Sequence, residues 1–398
     1  MKRVTVLFAF AIIFSQVSAQ DPSYDELGGR QKDLNTITTA VPFLTIAPGA
    51  RGGALGDAGV STSPDANSMH WNPAKYAFID GQMGFSVSYS PWLRKLVNDI
   101  NLAYLTGYYR FDDQQVVAVA LKYFSLGDIQ FTDQNGDPLG IYQPNEFALS
   151  GTYSRKLATN LSGAVAARFI YSNLTLGQAV QGVETSAGTS IAADVSVYWE
   201  KEVDLFDVDA QLAWGVNISN IGNKISYSNT NIQKDFIPTN LRLGPRVTLD
   251  LDDYNSLSFM VDFNKLLVPT PPVYYPDSNN PADGTPAIHS GMDPNVSVIQ
   301  GMIQSFYDAP GGFSEEIREL SYSVGTEYWY DNQFAIRGGF FYEDRSKGNR
   351  KFFTLGAGLR YNVFGLDVAY LIPLEQQNPL ENTLRFTLHF DFEAFQQQ

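Results

Sequence analysis

The side chains that could catalyse hydrolysis in this 398-residue chain do not form a recognisable catalytic motif. No Gly-x-Ser-x-Gly sequence presents a nucleophilic serine. The three histidines, His70, His289 and His389, are far apart in sequence, and none belongs to the His-Glu-x-x-His pattern of zinc enzymes. His389 could meet a serine from a neighbouring strand, or it could simply hydrogen-bond to polar neighbours. We expect no catalytic residue, no bound metal and no cofactor.

Adjacent carboxylates and the overall charge also argue against acid–base catalysis and against nucleic acid. Three pairs of neighbouring acids fall in predicted loops or turns, where solvation explains their charge: Asp112–Asp113, Asp252–Asp253 and Glu315–Glu316. The chain carries 27 basic and 42 acidic residues, a formal net charge of −15, which disfavours a polyanionic partner. Cysteine is absent, so disulfides and thiolate metal sites are excluded, whereas calcium held by loop carboxylates alone stays open.

Residues 47–74 form the one long stretch that is neither a strand nor a simple loop. Five glycines fall within eleven of its positions: Gly49, Gly52, Gly53, Gly56 and Gly59. They allow a backbone that turns often and packs closely. Neither Gly-Lys-Ser/Thr nor a βαβ unit accompanies them, so we expect no nucleotide site. Polar residues from 65 to 73 can cap turns and helix starts, and we interpret the stretch as a plug around which the chain after residue 81 is wrapped.

The chain divides into a leader, a plug-bearing segment and one large domain. Lys2 and Arg3 precede an apolar run over residues 4–14, and the Val-Ser-Ala sequence at 17–19 fits a signal-peptidase site. Nothing later approaches the roughly 20 apolar residues of a membrane helix. We assign residues 1–19 to a signal peptide, 20–80 to an N-terminal extension with a lumenal hatch, and 81–398 to the large domain.

From residue 81 onward, segments of about ten residues alternate in polarity and are separated by turn residues. In residues 384–392 every even-numbered residue is apolar and every odd-numbered residue is polar, and similar alternation recurs over 191–199 and 257–263. Fourteen candidate strands can be counted: 82–90, 100–111, 114–124, 145–156, 160–172, 188–200, 208–220, 239–249, 256–264, 317–330, 333–342, 351–360, 362–372 and 383–392.

The lengths of the connections distinguish a membrane barrel from a soluble sandwich, whose strands also alternate. Short connections at 112–113, 157–159, 201–207, 250–255, 331–332 and 361 alternate strictly with seven longer ones. Such alternation and an even strand count are expected of an outer-membrane barrel. Aromatic residues near strand ends suit an interfacial girdle, although they could also fill a sandwich core. We predict an all-β fold: a 14-stranded antiparallel transmembrane β-barrel with an N-terminal hatch, or plug, in its lumen.

Arginines inside the predicted strands indicate which face is the lumenal one. Six are found there: Arg168, Arg242, Arg246, Arg337, Arg360 and Arg385. Because a lipid-facing arginine costs about 2–4 kcal/mol at the bilayer midplane, we expect them to face the lumen. The strand acids available as partners are Asp194, Asp262, Glu327 and Asp367. These pairs could hold the plug in place or satisfy one another across the barrel, and we favour the first interpretation.

The longest connection, residues 265–316, contains seven prolines between 269 and 294 and then a possible amphipathic helix over 296–307. Because proline fixes φ and lowers the entropy of ordering, the tract could be a semi-rigid arm offered to a partner. It could equally be a flexible outer loop that shields the pore mouth. The candidate partner-binding residues are Pro269, Pro271, Pro272, Tyr274, Tyr275 and Pro276.

Two runs in the plug carry a resemblance to known barrels: GARGGALGDAG over 49–59 and PDANSMHWNPAKYA over 64–77. They resemble the long-chain fatty-acid transporter barrels, in which an Asn-Pro-Ala element belongs to an N-terminal hatch. More closely, and over essentially the whole mature length, the chain resembles the PorV family of outer-membrane shuttle proteins in the type IX secretion system of Bacteroidetes. The positions that match the family motif are Asp65, Asn67, Trp71, Asn72 and Pro73, to which we assign a role in organising the hatch.

The resemblance implies a carrier in the bacterial outer membrane and not an enzyme. PorV-like proteins bind the C-terminal signal domain of secreted cargo from the large translocon barrel and deliver it to a surface attachment complex with a sortase-like protease. The implied partners are these proteins and outer-membrane lipid, with no nucleic acid. The alternative hypothesis is a transporter of long-chain fatty acids or other hydrophobic small molecules, which needs an apolar pocket and a side opening in the wall. A third, lipid deacylation, lacks a nucleophile.

Overall fold

The alternating segments form a closed barrel of fourteen antiparallel strands. The computed structural model describes residues 34–95, 97, 99–132, 137–178, 185–205, 207–228, 234–279, 286–375 and 378–392. The barrel strands are β1 (Met83–Pro91), β2 (Asn101–Arg110), β3 (Gln115–Ser125), β6 (Asn145–Ala158), β7 (Leu161–Asn173), β8 (Gly188–Leu205), β9 (Val208–Gly222), β10 (Asn240–Asp252), β11 (Asn255–Leu266), β14 (Ser321–Tyr330), β15 (Phe334–Tyr342), β16 (Lys351–Tyr361), β17 (Phe364–Pro373) and β18 (Leu384–Asp391). Two hairpins outside the barrel sheet are β4 (Ile129–Thr132) with β5 (Pro138–Tyr142), and β12 (Val273–Asn279) with β13 (Pro286–Ser290).

The barrel closes where its first and last strands pair. β1 pairs with β2 on one side and with β18 on the other, in a register that runs from Gly84 opposite Asp391 to Tyr89 opposite Phe386. Every other barrel strand pairs antiparallel with its neighbours in chain order. A closed sheet has no free edge, so the strands can satisfy their backbone hydrogen bonds within the membrane.

The two faces of each strand differ as the sequence predicts. On β18, Leu384, Phe386 and Leu388 are exposed, whereas Arg385 and Thr387 are buried. The same alternation of exposed and buried residues runs along β8 and β11. Since the outward row is apolar and the inward row polar, the outward face is the lipid face of a membrane barrel. The predicted barrel and its fourteen strands are confirmed.

Three of the predicted boundaries are wrong. The strand predicted from residue 317 begins at Ser321, because the residues before it form a helix. The turns predicted at 201–207 and 250–255 are shorter, since β8 and β10 continue to Leu205 and Asp252. The added strand residues include exposed acids such as Glu202 and Asp204. Because the ends of these hairpins are charged, they lack the alternation of polar and apolar residues that is typical of a membrane strand.

Short helices lie before and between the strands. The described residues contain α1 (Ala50–Ala54), α2 (Ser68–Trp71), α3 (Val298–Gln304) and α4 (Phe313–Arg318), with 3-10 turns at Pro42–Thr45 and Pro73–Phe78. Asn72 is extended, at φ −161° and ψ 99°, and its side-chain oxygen accepts a hydrogen bond from the Ala74 N–H at 3.0 Å. The predicted capping is therefore confirmed for Asn72, whereas Asn67 at the start of α2 makes no side-chain capping hydrogen bond. α3 lies within the helix predicted over 296–307.

No described helix is both long enough and apolar enough to cross a bilayer. By their internal contacts the residues group into Thr36–Gln398 and Met1–Asn35, and only Leu34 and Asn35 of the second group are described. The predicted signal peptide, residues 20–33 of the predicted extension and Pro281 of the proline tract lie outside the described residues.

Candidate functional site

Residues 41–79, here called the inner segment, contact strands on opposite sides of the closed sheet. Hydrogen bonds of 2.7 to 3.0 Å join the segment to Thr387 on β18, Thr354 on β16, Asn217 on β9 and Ser162 on β7. Because these strands face one another across the barrel, the inner segment lies in the lumen. Most of its residues are buried.

The first turn of the inner segment lies near the end of the barrel that carries the long loops, here called the outer end. Phe43 and Leu44 pack with inward-facing residues of several strands, among them Leu102 on β2 and Ile170 on β7. Lys122 on β3 donates hydrogen bonds to the carbonyl oxygens of Leu44 and Ile46, at 3.0 and 2.6 Å. This end of the segment is therefore held by apolar packing and by the buried amino group of Lys122.

A buried ionic network holds the middle of the inner segment. Arg51 donates to both carboxylate oxygens of Glu327 on β14, at 2.9 and 2.7 Å, and pairs with Asp65 at 3.1 Å. Arg337 on β15 donates to the same Glu327 at 2.6 Å. One wall carboxylate thus binds one guanidinium of the segment and one of the wall. The favoured interpretation holds for Glu327, which fixes the segment through Arg51, whereas Arg337 pairs with Glu327 on the neighbouring strand and not across the barrel.

The network continues along the wall to β18. Arg337 pairs with Asp367 on β17 at 2.6 Å, and the other oxygen of Asp367 lies 2.5 Å from Nε2 of His389. His389 is therefore hydrogen-bonded to a lumenal neighbour, as one of the two sequence interpretations held. Nearby, Arg385 pairs with Asp57 of the segment at 2.5 Å.

The carboxylate of Asp262 on β11 binds backbone N–H groups of the inner segment and not an arginine side chain. Its Oδ2 accepts the N–H groups of Gly59 and Val60 at 2.7 and 2.9 Å. No cation of the described chain is within ion-pair distance of this carboxylate. The expected pairing of strand arginines holds for Asp194, which binds Arg168 at 2.9 Å, but not for Asp262.

The five motif residues all shape the inner segment. Asp65 accepts the Asn67 N–H at 2.9 Å, and the Asn67 side-chain oxygen accepts the Ser86 hydroxyl of β1 at 2.6 Å. Asn72 donates to the carbonyl oxygens of Val60 and Val197 at 3.0 Å each, which ties the segment to β8.

The remaining two motif residues set the path of the chain. The Trp71 ring packs so closely on Gly52 and Gly59 that a Cβ at either position would lie within 2.3 Å of a ring atom. Pro73 begins the 3-10 turn and is buried. Turn formation and packing account for the contacts of all five residues.

Gly339 on β15 is one of the positions where the wall approaches the inner segment closely, and it allows a test of that contact. A Cβ there would lie 2.1 Å from backbone atoms of Leu55 and Gly56. We expect Gly339→Ala to lower the free energy of unfolding by about 1–3 kcal/mol, because backbone on both sides would have to move. Chemical denaturation followed by the gel mobility of folded and unfolded barrel measures this change.

The neighbouring Gly338 provides the matched control. Its Cβ would meet only atoms at 3.9 Å, which is ordinary van der Waals contact. Gly338→Ala should therefore unfold like the wild type. Equal effects of the two alanine substitutions would contradict the close seating of the inner segment.

A second candidate site lies on the longest loop, at the outer end. Helices α3 and α4 with the residues between them, 298–318, are here called the outer platform. Six of its exposed side chains are large and apolar, with only Gln300 and Ser314 exposed as polar side chains among them: Ile299, Ile303, Phe306, Tyr307, Phe313 and Ile317. Polar residues such as Gln304, Glu315 and Glu316 are buried beneath. This is the reverse of the polarity of a soluble surface helix.

Buried ion pairs fix the platform to the barrel rim. Lys265 at the end of β11 binds Glu316 at 3.0 Å and Glu319 at 2.6 Å. Lys347, from the loop between β15 and β16, binds Glu315 at 2.6 Å and Glu319 at 3.0 Å. The expectation that Glu315 and Glu316 are solvated is wrong, because two lysines draw these carboxylates inward and leave apolar residues outside.

Asp308 gives this platform a pH dependence. It accepts the Thr270 N–H at 3.1 Å, while its other oxygen is buried without a partner among the described residues. Burial raises the pKa of Asp308 to about 6, and the neighbouring Glu316 and Glu319 act in the same direction. The carboxyl group of Asp308 therefore binds its proton more tightly in the folded than in the unfolded protein. Its contribution to the free energy of unfolding is fully present below about pH 4 and is lost as the pH rises through 6.

We expect Asp308→Asn to remove about 1 kcal/mol of the stability change between pH 5 and pH 7. Asparagine keeps the oxygen that accepts from Thr270 but does not titrate. Melting temperatures at the two pH values measure the effect, with Asp293→Asn as the control for an exposed acid of the same loop. An unchanged pH dependence in Asp308→Asn would show that this group does not titrate as described.

The predicted partner-binding residues fall into two sets. Pro269 and Pro272 are buried and Pro271 is half-buried, whereas Tyr274 and Tyr275 are exposed on β12. Pro276 lies in β12, and its side chain is outside the described set. The first residues of the long connection, Leu267 to Thr270, are buried. This part of the connection is therefore neither an arm that extends from the barrel nor a flexible loop.

Three cavities adjoin the inner segment. The outer cavity, of about 480 Å³, contacts residues 36–47 and inward-facing residues of β9, β10 and β11. Two others, of about 760 and 360 Å³, lie at the opposite end; Glu202 and Asp250 line the first, and Asp65 and His389 the second. The described residues contain no group of three metal-binding side chains.

The outer platform cannot be predicted from the local sequence. Its apolar residues recur at helical spacing in 299–307, which by itself predicts a helix with that face buried. The ion pairs that invert the helices join residues 28 to 54 positions apart, so no local pattern contains them.

Comparisons with known proteins identify a family. The family model described as type IX secretion system protein PorV matches residues 29–273, more than half of the chain. No curated protein sequence matches.

Solved structures with a similar fold include two toluene transporters and one FadL homologue. The Pseudomonas putida toluene transporter TodX is 11% identical, with 86% of this chain and 96% of that chain covered, at a TM-score of 0.46. The Ralstonia pickettii toluene transporter TbuX is 12% identical, with 87% and 98% covered, at 0.44. A Pseudomonas aeruginosa FadL homologue is 12% identical, with 90% and 100% covered, at 0.42.

Proposed function

Because this chain belongs to the PorV family of type IX secretion system proteins, we propose that it is a carrier for secreted cargo. It binds the C-terminal signal domain of cargo that emerges from the large translocon barrel. It then delivers the cargo to the surface attachment complex, which includes a sortase-like protease. The family is one of outer-membrane proteins and not one of enzymes.

The outer platform is the observation that carries this proposal. Six large apolar side chains are exposed there, and the two acids of α4, Glu315 and Glu316, face the barrel instead. A solvent-exposed apolar patch on a soluble loop marks a protein interaction site. Tyr274 and Tyr275, exposed on the same loop, extend the aromatic character that interfaces favour.

The filled lumen supports binding at the surface rather than passage through the barrel. The inner segment, within the predicted division at 20–80, serves in this proposal as the hatch, with its five motif residues organising its turns. It is joined to the wall by Glu327, Asp262 and Thr387, so a polypeptide could not pass without breaking buried ion pairs. Cargo therefore stays outside, on the loops.

The rival hypothesis of a fatty-acid or hydrocarbon transporter requires an apolar pocket in the upper lumen. Charged and amide side chains, including Arg168, Arg242 and Asn264, line the outer cavity. A long hydrocarbon chain would have to remove such groups from water along much of its length, which costs free energy. The carrier function therefore accounts better for the described residues.

Affinity purification of the tagged protein from its native outer membrane in mild detergent tests the proposal. We expect mass spectrometry to recover a very large barrel protein and secreted proteins that share a C-terminal β-domain. Recovery of this barrel alone with a defined fatty acid would overturn the carrier function in favour of the transporter.

A further inference from the structure

The outer cavity contains a guanidinium to which the described residues offer no carboxylate partner. Arg242 on β10 lies over the Trp71 ring, 4.7 Å from its centroid, and its Nε donates to Asn264 at 2.6 Å. Asp262 and Asp57 influence it only from beyond ion-pair distance. Its two terminal nitrogens make no hydrogen bond or ion pair with the described residues, and Arg242 lines the outer cavity.

The other charges around this cavity neutralise one another. The ion pairs are Arg168 with Asp194 at 2.9 Å, Lys347 with Glu319 at 3.0 Å, Arg350 with Glu343 at 2.8 Å, and Arg385 with Asp57 at 2.5 Å. Arg242 thus leaves an excess positive charge at the cavity wall. His70, which also lines the cavity, has a buried Nε2 without a partner in the described chain.

The shape and chemistry of the cavity suit a small anion with a short apolar part. Its volume of about 480 Å³ falls within the range of small-molecule sites. The planar fork of a guanidinium matches the two oxygens of a carboxylate, and stacking on Trp71 fixes the plane of that fork. Pro42, Leu44 and Ala47 supply an apolar flank from the inner segment, and Leu266 and Phe341 add apolar side chains from the wall.

We propose that the outer cavity binds a carboxylate on a short apolar chain through Arg242. Two sources share this chemistry: a free short-chain carboxylic acid, and the C-terminal end of a polypeptide. The inference concerns the lumen and does not depend on the carrier function of the outer platform.

Calorimetric titration of the purified barrel in a non-ionic detergent tests this site. The probes are butyrate, butylamine as a size-matched cation, and the tripeptide Ala-Ala-Leu with a free or an amidated C-terminus. We expect butyrate to bind and butylamine not to bind. Binding of the free tripeptide but not of its amide would assign the polypeptide source, whereas binding of butyrate alone would assign the free acid.

Arg242→Gln should weaken carboxylate binding at least about tenfold, since it removes the charge that pairs with the ligand. Arg246→Gln is the matched control, because Arg246 lies on the inward face of the same strand but lines the cavity at the opposite end. Arg242→Lys keeps the positive charge and should retain part of the affinity for carboxylates. This variant allows the test to be made even if Arg242→Gln misfolds. Equal binding by Arg242→Gln and the wild type, equal binding of butyrate and butylamine, or no binding of any carboxylate would overturn the proposal.

Discussion

Replacing Glu327 with alanine is expected to lower the free energy of unfolding by about 3–5 kcal/mol, the cost of removing one partner from a buried ion pair. Glu327 is 3% exposed and accepts hydrogen bonds from Arg51 and Arg337. Without it, two guanidiniums in the lumen lose their shared counter-charge. Because Arg51 belongs to the inner segment, the substitution also weakens the seating of that segment.

Two measurements check this expectation. Denaturant unfolding gives the loss of stability, and ion conductance across planar bilayers shows whether the lumen opens. Glu202→Ala is the control, since Glu202 is an exposed acid at the same end of the barrel with no ion pair among the described residues. If Glu327→Ala were as stable and as closed as Glu202→Ala, the network would not hold the inner segment.

The double substitution Ile303→Ser and Phe306→Ser is expected to weaken partner capture about 100-fold or more. Both side chains are more than half exposed, at 59% and 51%, so removing them should leave the barrel fold intact. In a complex, burial of two such side chains contributes about 3 kcal/mol or more, which corresponds to that factor. Pull-down of translocon and cargo from membranes, calibrated against purified cargo signal domain, measures the change.

Ile141→Ser provides the comparison for this experiment. Ile141 is 67% exposed on β5, in a different outer loop, so its replacement removes exposed apolar area outside the platform. Capture should be unchanged in this variant. Unaltered capture in the platform variant, or equal loss in both, would remove the platform from the proposed function.

The strands could be predicted from the sequence because their physics is local. The alternation along β8 or β18 follows from lipid on one side and a polar lumen on the other, a pattern that each segment carries by itself. The sequence also indicates that Glu327 and Arg337 face inward. It cannot indicate that Glu327 meets Arg51, which is 276 positions away.

The platform could not be predicted for the same reason. Glu315 and Glu316 have the composition of a solvated turn, and only their contact with Lys265 and Lys347 makes them the buried face. The predicted start of the strand at residue 317 was wrong, because helix α4 precedes β14 and places Ile317 on its exposed side. The orientation of helix α4 is therefore set by ion pairs between residues far apart in sequence, and not by the local pattern of polar and apolar residues.

The pairing of β1 with β18 dictates an order of events during assembly. The hydrogen bond between Ala50 and Thr387 joins positions 337 apart, and that between Ser88 and Thr387 joins positions 299 apart. Contacts of such separation form only after the whole chain has been synthesised, and their loop-closure entropy makes them slow. Since the inner segment precedes every barrel strand, we expect the wall to close around a segment that is already present and to depend on it for correct closure.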